Sequence, residues 1–193
     1  MSSAMESDGK DEKEMMAEEE RLREKIRPLK LLILDVDGVM TDGRIIIDDA
    51  GQESKHFDVK DGHGLKLLMR VGIDVVLLTG RRSRVVEHRA ADLGIREVHQ
   101  GILRKMEVLE GILRKRNLTP SETAYMGDDV VDIPLIKRVG FGISVADGVE
   151  EARQAAAYVT KRRGGRGAVR EVCELILKGQ DRWLEVTARY DLG

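Results

Sequence analysis

Leu31-Leu32-Ile33-Leu34-Asp35-Val36-Asp37-Gly38-Val39 is the stretch whose reading decides the fold. Four aliphatic residues in a row, with no polar alternation, read as a strand buried on both faces, as inside a parallel sheet. Two carboxylates one residue apart come directly after, where the C-terminal edge of such a sheet binds ligands. Each charge at the end of a buried strand needs a partner. A divalent cation supplies one, and a hard, oxygen-rich site suits magnesium. Gly38 lets the backbone turn sharply and leaves room for a substrate. An isolated Asp-Val-Asp-Gly also fits a plain surface turn, so its meaning depends on the rest of the chain.

Three further signals come in order. The run Ile73 to Leu78 reads as a second buried strand and ends in Thr79-Gly80-Arg81. A hydroxyl, a flexible glycine and a bidentate donor make a phosphate clamp. Gly101-Ile102-Leu103-Arg104-Lys105 then sets a lysine at the start of a helix. Thr123 to Met126 reads as a third strand, and Gly127-Asp128-Asp129 with Asp132 brings more carboxylates to its end. In a parallel sheet all C-terminal strand ends lie on one side, so these groups converge. Singly, Thr79 fits a helix cap, Lys105 a solvated charge and Asp128 an N-cap. Together, in this order, they describe a site.

Strand and helix patterns alternate along the rest of the chain. Helices are expected at 63–71, 83–93, 104–116, 130–139, 149–156 and 168–178, and strands at 73–78, 97–99, 123–126, 141–144 and 157–160. That alternation predicts an α/β fold, a Rossmann-like, doubly wound parallel sheet. After the first strand, Arg44 to Ile47 and Glu53 to Phe57 flank Asp48-Asp49-Ala50-Gly51-Gln52, a hairpin with a glycine-containing loop. Asp35 and Thr79 stand 44 positions apart, and Thr79 and Lys105 stand 26 apart. Neither gap holds a lid domain, so the fold is capless and a neighbouring subunit is expected to restrict the site. Residues 1–27 read as a charged, solvated extension with the composition of disorder, 28–180 as the domain and 181–193 as a C-terminal tail.

With 193 residues, a domain of this size buries about 70% of its unfolded surface. The formal charge of −2 leaves no global basic footprint for nucleic acid. Aromatic residues at 3% argue against base-stacking platforms. No stretch has the length of a membrane span, and the N-terminus lacks an apolar signal region. Cys173 is the sole cysteine and sits among Val169, Val172, Leu175 and Ile176 at helical spacing, so it reads as a core hydrophobe. The expected place is the cytoplasm.

The order Asp-x-Asp-Gly-Val, Thr-Gly-Arg, Gly-x-x-x-Lys and Gly-Asp-Asp-x-x-Asp resembles the haloacid dehalogenase superfamily of phosphohydrolases over Leu31 to Leu177. Within it, Asp35 to Gly43, Lys60-Asp61-Gly62-His63-Gly64, Thr79-Gly80-Arg81 and Gly164 to Glu171 resemble the 3-deoxy-D-manno-octulosonate 8-phosphate phosphatases. The resemblance implies a magnesium-dependent phosphatase of a sugar-acid phosphate, working as a homotetramer. Its hairpins would associate centrally, and a C-terminal segment would reach a neighbour's site. Asp35 would be the nucleophile and Asp37 the acid and base. Magnesium would be held by Asp35, the Asp37 carbonyl and Asp128, and Thr79 and Lys105 would hold the phosphoryl oxygens.

Asp129 and Asp132 would stand behind this shell, orienting Lys105 or metal-bound waters. Arg81, Gly80, Lys60, Gly62 and Arg166 are the candidates for binding the sugar acid. The Asp61-Gly62-His63-Gly64 turn and the Lys161-to-Arg166 run are expected to offer backbone N–H groups to an anion. The alternatives are a phosphatase of nine-carbon sugar acids, or a non-catalytic scaffold kept for oligomerisation. A signalling receiver domain has the wrong motif order, since its acidic pair and phosphoacceptor come after different strands.

Overall fold

The computed structural model describes residues 16–190. The first fifteen residues of the expected extension and the last three of the tail lie outside it. Residues 16–26 are helical (α1) and lead into β1 (Leu31–Leu34), the centre of the fold. All four side chains of β1 are fully buried. Leu32 and Leu34 enter the core on one face and Leu31 and Ile33 the core on the other, which is why the run carries no polar alternation.

β2 (Ile46–Ile47) and β3 (Glu53–Ser54) form the expected antiparallel hairpin. Next come α2 (Val59–Arg70), β4 (Asp74–Leu78), α3 (Arg84–Leu93), β5 (Glu97–His99) and α4 (Lys105–Arg116). The chain continues through β6 (Thr123–Gly127), α5 (Ile133–Arg138), β7 (Phe141–Ser144), α6 (Glu150–Ala155) and β8 (Tyr158–Val159). It closes with α7 (Ala168–Gly179) and α8 (Trp183–Thr187).

The main sheet has six parallel strands in the order β5-β4-β1-β6-β7-β8. From β1 the chain moves to β4 and β5, then crosses back to β6 on the other side. The switch point therefore falls between β1 and β6, and ligands bind at the carboxyl ends of strands at such a point. Apolar side chains of α2, α3 and α7 cover one face, and those of α4 and α5 the other. Between β1 and β4 there is only the hairpin and one helix, as the spacing predicts for a capless fold.

Two differences from the sequence reading have clear causes. α2 begins at Val59 rather than 63, because the Asp58 side chain accepts from the N–H groups of Lys60 and Asp61 and caps the helix there. The core also reaches past both expected domain boundaries. Ile26 is 1% exposed, Val186 of α8 is buried, and the Gln180 amide donates to the carbonyls of Ile26 and Leu29.

Candidate active site

The C-terminal ends of β1, β4 and β6 and the start of α4 surround a cleft of about 250 Å³. Asp35, Asp37, Thr79, Gly80, Arg81, Lys105, Asp128 and Asp129 line it, with Ile102, Leu103 and Val131 forming an apolar rim. The backbone sets these positions: Asp35 N–H donates to Met126 O at 3.0 Å, and Thr79 N–H to His99 O at 2.9 Å. Ile102 N–H donates to Thr79 O at 3.1 Å and ties the Lys105 loop to the β4 turn. Gly38 has φ +89°, and a Cβ there would lie 2.0 Å from Asp128 Oδ2. The space it leaves is thus filled by Asp128 rather than by substrate.

Lys105, 6% exposed, reaches Asp132 Oδ1 at 2.7 Å and Asp35 Oδ2 at 3.2 Å. Asp132 Oδ1 also accepts from the Tyr125 hydroxyl at 2.6 Å, and its Oδ2 accepts from the Asp128 N–H at 3.0 Å. One carboxylate thus positions the lysine and the Asp128 loop together. Nothing in the sequence singles out Tyr125, because a tyrosine in an apolar strand reads as core. Asp129 turns its carboxylate to the N–H of Val130 and caps the short 3₁₀ turn there, so of these two carboxylates it is Asp132 that meets Lys105.

The electrostatics of this cluster are unbalanced. Asp35, Asp128 and Asp132 place carboxylate oxygens within 4.8 Å of one another, and Lys105 is the cation paired with them. Burial pushes Asp35 up to about 6; Lys105 pulls it down and Asp132 pushes it up. Burial, then Asp35 and Asp132, push Asp128 up to about 8. Burial pulls Lys105 down, but Asp35 and Asp132 outweigh it and its ammonium is held above the usual lysine range. Asp35 Oδ1 is buried and has no hydrogen-bond partner. An orphaned oxygen beside excess negative charge, in an all-oxygen donor set, fits a hard divalent cation. Asp132 is already committed to Lys105 and Tyr125, so Asp35 and Asp128 are the carboxylates that could hold it.

The hairpin adds residues that no local pattern marks. Lys55 pairs with Asp37, and Glu53 accepts from Arg81 Nη2 at 2.7 Å. Glu and Lys flanking a hairpin strand are ordinary, so the sequence gives no signal for either contact.

The structure does not bring Lys60, Gly62 or Arg166 into this cleft. Gly62 lies inside α2, its N–H donating to Asp58 O, and a Cβ there would meet Arg89 and Leu93. It is a packing glycine in a helix rather than part of an anion-binding turn. The Gly164-Gly165 pair is also a packing feature, since a Cβ at Gly164 would lie 1.7 Å from Gly38 O. The N–H groups of the pair are used by Asp147 and by Val39 O. Lys60 and Arg166 line a separate groove beside Asp42, His56 and Phe57.

An aspartate pair at a topological switch point, with Thr79 and Lys105 beside it, is the arrangement of this cleft, and residues 96–171 match the haloacid dehalogenase-like hydrolase family. The 3-deoxy-D-manno-octulosonate 8-phosphate phosphatase of Yersinia pestis is 46% identical over 154 residues, 80% of this chain and 82% of that protein. The crystal structure of the Moraxella catarrhalis phosphatase of that name holds magnesium, phosphate and KDO. It is 43% identical, covers 88% of this chain and 97% of its own, and superposes with a TM-score of 0.86. The cobalt-bound Haemophilus influenzae enzyme is 38% identical over 88% of this chain and 99% of its own, with a TM-score of 0.82. This chain belongs to the haloacid dehalogenase-like hydrolases, in the family of the 3-deoxy-D-manno-octulosonate 8-phosphate phosphatases.

Proposed function

We propose that this protein is a magnesium-dependent phosphomonoesterase that hydrolyses 3-deoxy-D-manno-octulosonate 8-phosphate to the sugar acid and inorganic phosphate, as a step in lipopolysaccharide precursor synthesis in the cytoplasm. The observation that carries this reading is the buried, unpartnered Asp35 Oδ1 within the Asp35–Asp128–Lys105 cluster at the strand ends.

A phosphate monoester repels nucleophiles with its own charge, so catalysis is mainly positioning and neutralisation. Asp35 attacks phosphorus and carries the phosphoryl group as an aspartyl-phosphate. Asp37 protonates the departing sugar oxygen, then takes a proton from the water that releases phosphate. Lys105 and Thr79 hold the phosphoryl oxygens, with Asp132 keeping Lys105 in place. Asp35, Asp128 and the main-chain carbonyl of Asp37 would hold the magnesium, which when bound neutralises phosphoryl charge and fixes its orientation. Arg81, on the same turn as Thr79, offers a planar fork to the sugar carboxylate.

Lys60 and Arg166 face a groove away from this cleft, and the place of Arg166 in the reading is at a neighbouring subunit's site. The exposed Ile45 and Ile47 of the hairpin give an apolar surface on which a homotetramer would assemble.

Phosphate release measured with and without magnesium, from the eight-carbon 8-phosphate and a nine-carbon sugar-acid 9-phosphate in parallel, tests the substrate. Strong magnesium-dependent preference for the first is expected. Preference for the second would keep the chemistry and change the substrate, while release from neither would favour a scaffold. Asp35→Asn is expected to abolish turnover with the fold intact, and near-normal activity in that variant would sink the mechanism. Mixing Arg166→Ala with Asp35→Asn is expected to regain activity in hybrid oligomers, and no recovery would remove the shared-site reading.

A further inference from the structure

The hairpin delivers two side chains that this reaction scheme leaves without a task. Lys55 lies just past β3, and its side chain is 1% exposed. Its ammonium sits between two carboxylates, bonded to Asp37 Oδ1 and 3.4 Å from Glu53 Oε1. Glu53 Oε1 accepts from Arg81 Nη2 at 2.7 Å, and Arg81 Nε stands 3.7 Å from Asp37 Oδ2. Each oxygen of Asp37 therefore faces its own cation, one from the hairpin and one from the turn after β4. A lysine side chain buried this far is rare unless paired. Neither Lys55 nor Glu53 lines the cleft, so what Lys55 does there it does through Asp37.

We propose that Lys55 is a positioning residue for the leaving-group step, fixing the Asp37 carboxyl group in the orientation from which it protonates the departing sugar oxygen. Glu53 keeps Lys55 and Arg81 in register, so the hairpin belongs to the active site of its own subunit. The inference rests on the acid–base role given to Asp37 above. In that step the bond from phosphorus to the sugar oxygen breaks as the bond to Asp35 forms. The Asp37 proton passes to the sugar oxygen, which leaves as an alcohol, and the carboxylate that remains already has its cationic partner. Without Lys55 only the longer contact to Arg81 Nε, at 3.7 Å, still holds the group, and a misplacement of about 1 Å costs about 10²-fold in rate.

The test compares two leaving groups in Lys55→Met and Lys55→Arg. The sugar alkoxide needs a proton to leave, whereas the phenolate of p-nitrophenyl phosphate departs without one. Rapid-quench measurement of the first step is expected to show Lys55→Met slowed about 10²-fold on the sugar-acid phosphate. Its KM and its p-nitrophenolate burst should each change by less than about threefold. Lys55→Arg should recover at least about tenfold of the loss. Equal loss on both substrates, or loss on neither, overturns the proposal. Should Lys55→Met fail to fold in a thermal melt, Glu53→Gln is expected to give the same split at smaller size, and equal effects there overturn it as well. Failure of the functional reading would look different: the unmodified protein would not turn over the sugar-acid phosphate at all.

Discussion

Lys105 stands between Asp35 and Asp132, and the charge balance of the site depends on it. Asp35 is pushed up to about 6 and Asp128 to about 8, both chiefly by burial. Each folded-state value lies above the unfolded one of about 3.9, so the fold favours the protonated forms. The metal-free protein therefore loses stability from these groups as pH rises from about 4 through 6 to 8. A bound cation needs both carboxylates ionised and competes with those protons. Magnesium titrations of activity should show the half-activating concentration rising at least about tenfold between pH 8 and pH 6; a flat response would place the cation elsewhere. Lys105→Met should abolish turnover and cost about 3–5 kcal/mol, because it strands Asp35 and Asp132 as unpaired buried charges. Much of that loss should return at pH 5, where Asp35 takes up a proton, and paired thermal melts at pH 5 and 8 would show it.

α2 and α7 pack on the same face of the sheet, and Asp61 joins them. Its carboxylate accepts from Arg170 N at 2.7 Å and Gly167 N at 3.3 Å, taking up the free donors at the start of α7. Burial pushes it up to about 6, so the ionised form strains the fold above that pH while the hydrogen bonds support it. Asp61→Ala should cost about 2–4 kcal/mol by leaving two buried N–H groups unpaired. Asp61→Asn keeps one acceptor and sheds the charge, and should stay within about 1 kcal/mol of the parent at pH 8 in urea unfolding. Most of the element pattern is legible in the chain, with strands 97–99 and 141–144 matching residue for residue. The start of α2 is not, because Gly62 and Gly64 resemble a turn. Their small size serves close packing against Arg89 and Cys173, and the capping residue Asp58 outweighs their low helix propensity.

At the scale of the molecule, the excess carboxylate at the strand ends calls for a bound cation. Magnesium at about 100 times its dissociation constant should add about 2.7 kcal/mol. For a chain of this size that is a rise of roughly 5–10 °C in Tm at pH 8, and chelator should reverse it. For the homotetramer proposed above, the double variant Ile45→Glu with Ile47→Glu should lower the mass measured by light scattering; an unchanged mass would remove the hairpin's part in that reading. The sequence by itself determined the parallel sheet and the convergence of Asp35, Asp37, Thr79, Lys105 and Asp128 on its C-terminal edge. Those features come from strand ends, which local hydrophobicity marks and parallel topology gathers on one edge. Only the tertiary structure decided that Asp132 rather than Asp129 grips Lys105, and that Tyr125 completes that grip. It alone placed Lys55 on Asp37 and kept Lys60 and Arg166 out of the cleft. Such pairings depend on side-chain direction and on how a loop folds back across the sheet, and neither leaves a period or a motif in the chain.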